Sequence, residues 1–223
     1  FDLDYVKEYV LQGGNKFASS VTVNVAFNDN TLSANDFLTL VNAGVKFGTL
    51  TGTTTPVGRY TLSASDGDFI SGTSAVTNLT KLVNAGLKFT PDSVPISNAT
   101  ITLGSCKGLL DAGVKFGSGN TLNVSSAELN SATSLTTILN SGITTIKTVS
   151  GTISVAQVES LLPITGLTFS NGTSLQITDA LTLGTAVAKG ANYYSAKGIT
   201  NATLTPTTIS YSDAIALKTA GIV

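Results

Sequence analysis

A seven-residue block, VNAGVKF at 41–47, returns as VNAGLKF at 83–89 and LDAGVKF at 110–116. Looser copies follow as LNSGITTI at 139–146, ITGLTF at 164–169, AKGIT at 196–200 and TAGIV at 219–223, and GGNKF at 13–17 comes before. The marker glycines Gly14, Gly44, Gly86, Gly113, Gly142, Gly166, Gly198 and Gly221 are 23 to 42 residues apart. An irregular period of this length marks a structural repeat, whose single unit cannot bury its apolar face and must stack on its neighbours.

The residues around each glycine define the unit. Residues 32–42, LSANDFLTLVN, have helical apolar spacing, with Ser33 placed as N-cap and Asp36 as the acidic partner of a capping box. Each marker glycine then fits the left-handed position that closes a helix, and the Val, Leu or Ile after it packs back on the last turn. A short strand such as 114–116 leads to a turn, here GSGN at 117–120, and an alternating stretch at 121–124 forms a second strand. Ser125 and Glu128 open the next helix with a Ser-x-x-Glu box. Equivalent second strands are expected at 59–64, 99–103, 152–155, 174–178 and 202–206, a first helix over 1–12, a strand over 21–27 and a longer helix over 179–192. Residues 51–58 and 71–74 read as loop insertions inside repeats.

The fold class is therefore α/β: a repeat solenoid over 1–223 as a single domain, each repeat of about 30 residues being one helix and two short β-strands. Parallel coils are the preferred stacking, because successive copies then lie like on like; hairpins are the alternative. Phe17, Phe47, Phe89, Phe116, Ile146 and Phe169 would form an inward ladder. One strand spacing of ~4.8 Å per helix spacing of ~10 Å curves the stack, whereas two strand spacings per helix keep it straight. The chain opens at Phe1 without an initiator and stops where a new strand should begin, so it reads as a segment of a longer array. An uncapped end invites another chain, so self-association or contact with neighbouring repeats of the same parent is expected.

Composition narrows the function. With 12 basic and 13 acidic residues and a net charge of −1, the chain has no field to attract nucleic acid or an anionic membrane. No apolar run approaches the ~20 residues of a membrane span. Histidine is absent, which removes the commonest general base and zinc ligand and every histidine triad. The lone Cys106 supports no internal disulfide framework and reads as a small buried residue. The expectation is a non-catalytic protein.

Candidate binding residues are few. Lys16, Lys46, Lys88 and Lys115 share one motif position, and in a stack they form an outward basic row suited to an anionic polymer or a partner's carboxylates. The same row would also keep a sheet face soluble and ill suited to edge pairing. Asp29, Asp66 and Asp68 lie in oxygen-rich turns that offer calcium a few ligands, or else serve capping. No other cofactor is indicated. Tyr193 and Tyr194, set among Ser, Gly and Asn, suit either stacking on a cell-surface glycan or a place in the core.

The AGVKF motif with its Thr/Gly/Asn-rich strand pairs resembles the repeat arrays of very large secreted or surface-layer bacterial proteins, including adhesin-like products of type I secretion. The likeness covers nearly the whole chain, although the GGxGxD calcium nonapeptides of many such proteins are missing. It implies an extracellular or cell-surface location and a structural role in an array, filament or surface layer. The alternatives are an adhesive or carbohydrate-binding module and, third, a polysaccharide-degrading β-solenoid enzyme with convergent carboxylates.

Overall fold

Helices and short parallel strands alternate along the chain in the structure, a computed structural model that describes residues 3–18, 23–25, 32–48, 59–170, 172–205 and 208–223. The described elements are α1 (Leu3–Lys7), widening into a π-helical turn (Glu8–Gln12), β1 (Val23–Val25), α2 (Ala34–Asn42), β2 (Val45–Phe47), β3 (Arg59–Tyr60), α3 (Gly67–Ile70), α4 (Gly72–Asn84) and β4 (Lys88–Phe89). After them come β5 (Thr100–Thr102), α5 (Leu103–Asp111), β6 (Thr121–Val124), α6 (Ser126–Leu129), α7 (Ala132–Ser141), β7 (Thr145–Thr148), β8 (Thr152–Ser154) and α8 (Val155–Ser160). The last are β9 (Thr168–Phe169), β10 (Ser174–Ile177), α9 (Ala180–Val187), a 3-10 turn (Ser195–Lys197), β11 (Asn201–Leu204) and α10 (Tyr211–Thr219). Two compact units result: Phe1–Ala99 with Gly104–Ser118, and Thr100–Leu103 with Gly119–Val223. The expected insertion at 51–58, the ends of the 21–27 strand and the acidic turn at Asp29 lie outside the described residues.

The helix boundaries follow local chemistry. Asp36 N–H donates to Ser33 Oγ at 3.2 Å and Ser33 N–H to Asp36 Oδ2 at 2.9 Å. The same reciprocal cap joins Ser125 to Glu128, Ser154 to Gln157 and Asp179 to Thr182. All eight marker glycines have positive φ, from 65° at Gly14 to 97° at Gly86, as a left-handed helix stop requires. The break expected over 71–74 is narrower: Ser71 is extended, while 72–74 already form the first turn of α4. Gly72 N–H is held by Ser97 O at 3.0 Å, which fixes the kink at that one position. The expected helix over 179–192 stops at Val187.

Every named strand pairing among the described residues is parallel. In the first unit β1 pairs with β2 and β3 with β4; in the second the sheet orders are β5-β6-β7-β9 and β11-β10-β8. The β8, β10 and β11 strands pair like on like. The β1–β2, β3–β4 and β6–β7 pairs instead set a second strand beside the next copy's first strand, because corners of unequal length bring different strands level. The strand expected at 114–116 is reduced to an isolated bridge from Ile96 to Phe116.

Packing partly follows the expected ladder. Phe47, Phe89, Ile146 and Phe169 are buried, whereas Phe17 and Phe116 are half-buried. In the first unit the buried rings are joined by two residues outside the ladder: Phe37 meets Phe47 and Tyr60 edge-on at 5.4 and 5.2 Å, and Tyr60 meets Phe89 at 6.4 Å. Such pairs add ~0.5–1.5 kcal/mol beyond their area. In the second unit the buried Gln157 caps α8 and also donates to Ser126 O and Asn130 Oδ1, both at 3.0 Å. One amide thereby ties a helix start to the preceding copy.

Candidate functional site

A geometry that recurs among the described residues is a seat made by the residue before a marker glycine and, at several copies, the glycine itself. Phe47 N–H donates to Ala85 O at 2.6 Å, Phe89 N–H to Ala112 O at 2.8 Å and Phe17 N–H to Ala43 O at 3.0 Å. A Cβ on Gly86 would overlap the Phe47 carbonyl oxygen, and one on Gly113 would stand 2.5 Å from the Phe89 carbonyl oxygen. Ala85-Gly86 and Ala112-Gly113 thus receive the phenylalanine peptide of the preceding copy: the alanine carbonyl takes its proton and the glycine makes room for its oxygen. Gly198 crowds the Phe169 carbonyl in the same way. Near the C-terminus Tyr194 takes the place of the phenylalanine, its N–H donating to Ala220 O at 2.9 Å while Gly221 packs against Ser195. Gly142 and Gly166, which follow Ser141 and Thr165, have open space where a Cβ would be.

The four lysines of the motif have separate surroundings. Lys16 and Lys46 are exposed, Lys88 is half-buried and Lys115 is exposed. The strand register places Lys46 beside Asn24 and Lys88 beside Arg59, and Arg59 donates to Phe89 O at 3.1 Å. Lys115 donates to Pro91 O. Lys46 also shares a shallow hollow with Lys81, Asn42 and Asn84 at the ends of α2 and α4, where cations complement the carbonyl ends of helices. Lys81 lies outside the motif and was not in the expected row.

The acidic turn at 66–68 is a structural device. Asp66 is buried, and its oxygens accept from Tyr60 OH at 3.0 and 3.1 Å, Ser63 N–H at 2.8 Å and Ser63 Oγ at 3.0 Å. Burial first, then the charge and hydrogen bond of Asp66, pushes the Tyr60 hydroxyl up to about 12. Asp68 begins α3. Among the described residues no three of His, Cys, Asp and Glu gather to hold a metal ion.

The reading of Tyr194 as a glycan platform is corrected: the residue has 0% exposure, and its ring lies edge-on to Tyr193 at 4.9 Å. Burial drives this apolar ring inward, and its hydroxyl has no hydrogen-bond partner among the described residues. Tyr193 is also engaged. Its hydroxyl donates to Glu159 Oε1 at 2.8 Å, Lys197 Nζ stands 3.8 Å from its ring centroid and Lys189 Nζ 5.1 Å. Lys189 in turn meets Glu159 Oε1 at 2.8 Å. Burial works against ionising Glu159, but the hydrogen bonds from Lys189 and Tyr193 and the charges of Lys189 and Lys197 hold its carboxyl below the ordinary value. Burial and then Glu159 push the Tyr193 hydroxyl upward, and the same causes raise Tyr194 to about 12. The cluster ties Tyr193, Lys189 and Lys197 to Glu159 of α8. Lys189 and Lys197 stand four residues either side of Tyr193, a helical spacing legible in the sequence, whereas Glu159 is too distant to be linked from spacing alone.

A second polar hollow, about 480 Å³, lies on the first helix, lined by Tyr5, Glu8, Tyr9, Gln12, Gly13 and Asn15. The Tyr5 and Tyr9 rings are nearly parallel, at 12° and 6.2 Å. Tyr5 and Tyr9 stand one helical turn apart, a spacing that serves packing as readily as an open platform. Among the described residues no helix is long and apolar enough to cross a membrane. No protein-family model, curated protein or solved structure matches the chain.

Proposed function

We propose that this chain is a non-catalytic structural segment of an extracellular array, filament or surface layer, built as a solenoid-like stack of helix–strand–strand copies. The carrying observation is the seat that joins copy to copy: phenylalanine N–H on alanine carbonyl at 2.6 to 3.0 Å three times in succession, all beside parallel strands. The joint is built from backbone groups and a missing side chain, which suits stacking of segment on segment. Lys46, Lys88 and Lys115 flank these joints and would supply charge toward a partner. The resemblance to repeats of large secreted proteins agrees with this role, with a surface location and with neighbouring repeats as partners.

A second reading, an adhesive or carbohydrate-binding module, is favoured by the Tyr5–Tyr9 platform beside Glu8, Gln12 and Asn15, since a sugar ring lies on aromatic faces and bonds polar edges. Concentration-dependent light scattering, run beside a glycan-binding screen, separates the two. Growth of mass with concentration is expected; a strictly monomeric chain that binds glycans would sink the assembly reading.

A further inference from the structure

An asparagine two residues before a serine or threonine, with any residue but proline between them, is the acceptor pattern for N-linked glycans in exported chains. The chain has five such tripeptides, beginning at Asn78, Asn98, Asn123, Asn171 and Asn201. Asn171 lies outside the described residues, and Asn201 stands on the outer strand β11. The other three have copies of the repeat on both sides, and the fold treats them differently. Asn78 is on α4, where its side-chain amide donates to Asp68 O at 3.3 Å, Leu79 is buried and Thr80 Oγ1 is closed off from solvent. Asn123 lies within β6, level with Thr102 on one side and Lys147 on the other, with its Oδ1 closed off from solvent. Ser125 of the same tripeptide spends its hydroxyl on the cap with Glu128. A sugar on either asparagine would have to break packing already made.

Asn98 differs on each count. It is exposed, and so is Thr100 two residues on, while Ala99 between them is buried and anchors the tripeptide. Asn98 stands in the turn before β5 at φ 52°, a left-handed position that asparagine tolerates better than most residues. Backbone bonds hold the turn: Ser97 N–H donates to Ile70 O at 2.9 Å, Asn98 N–H to Ser118 O at 3.1 Å and Gly72 N–H to Ser97 O at 3.0 Å. A bulky group on the Asn98 amide therefore adds to the solvent side and leaves these bonds intact. We propose that Asn98 is an N-glycosylation site of this chain. The proposal rests on the extracellular reading, since the transfer takes place on the export side of a membrane. The donor is an oligosaccharide carried on a lipid diphosphate. Asn98 Nδ2 bonds to the anomeric carbon, the bond from that carbon to the diphosphate oxygen breaks, the lipid diphosphate leaves with the electron pair, and one amide proton passes to a base of the transferase. The sugar forms a hydrated cover at the corner that leads into β5.

The test is made on the full protein isolated from its own cells. Tandem mass spectrometry of its proteolytic peptides finds a sugar mass on the asparagine itself, whatever the sugar. A glycan is expected on Asn98 and none on Asn78 or Asn123. Produced in the same cells, Thr100→Ala should lose the glycan and Thr100→Ser keep it, with the circular dichroism of both unchanged. A bare Asn98 in protein that surface proteolysis finds outside the cell would overturn the site and leave the extracellular reading standing. A glycan on Asn78 or Asn123 with Asn98 bare, or one on Asn98 that survives Thr100→Ala, would also overturn it. Protein held inside the cell without a glycan would overturn both the site and the extracellular reading.

Discussion

Gly86→Ala tests whether the marker glycines do more than end helices. At φ 97° a side chain costs ~1–2 kcal/mol from backbone conformation alone. Its Cβ would also overlap the Phe47 carbonyl oxygen, so the seat must open. Opening it forfeits the 2.6 Å bond from Phe47 N–H to Ala85 O, worth ~1 kcal/mol, and loosens a ring only 4% exposed, adding ~1–2 kcal/mol. The expected loss is about 3–5 kcal/mol. Gly72→Ala is the matched control in the same unit, with φ 78° and nothing nearer its Cβ than Ser74 Oγ at 4.0 Å, and it should lose only ~1–2 kcal/mol. Urea unfolding followed by circular dichroism gives both values, and Gly198→Ala against Gly142→Ala repeats the comparison in the second unit. Equal losses within each pair would refute the seat and leave helix termination as the glycines' whole role.

Three further outcomes follow from the buried polar groups. Tyr60, Tyr193 and Tyr194 have raised folded pKa values, so their contribution is complete below the unfolded value of ~10 and is lost as pH rises through the folded ones; ultraviolet titration should show three of the six tyrosines ionising late, with alkaline unfolding, and six ordinary titrations would contradict the packing. Glu159 has a lowered folded pKa, so its contribution is present above ~4.3 and fades as pH falls through the folded value; Glu159→Gln should be less stable than wild type at pH ~7 and indistinguishable in strong acid, as followed by thermal melts across pH. Tyr194→Phe removes a buried hydroxyl with no partner among the described residues, so it should be neutral or stabilising by up to ~1 kcal/mol; a loss of more than that in urea unfolding would mean the hydroxyl is satisfied.

Local rules carried far along this chain. The caps at Ser33 and Ser125 and the left-handed glycines form as the spacing implies, because each involves atoms within four residues of one another. The lysine row and the Tyr193-Tyr194 pair were less legible. Lys88 lies beside Arg59, 29 residues away, and Tyr193 answers to Glu159 across 34; side chains that meet only through folding leave no periodic trace.

The repeated motif, the helix stops and the α/β class came from the order of residues alone, since periodicity and capping are local; parallel pairing over hairpins was decided by the folded chain. Tertiary structure alone decided which strand lies beside which, because loop lengths set the register. It also decided that Phe37 and Tyr60 join the buried rings and that Tyr194 belongs in the core. Gly86, Gly113 and Gly198 gained a second role there too: the missing side chain makes room for a phenylalanine carbonyl from the copy before, a contact that exists only once the two segments have met.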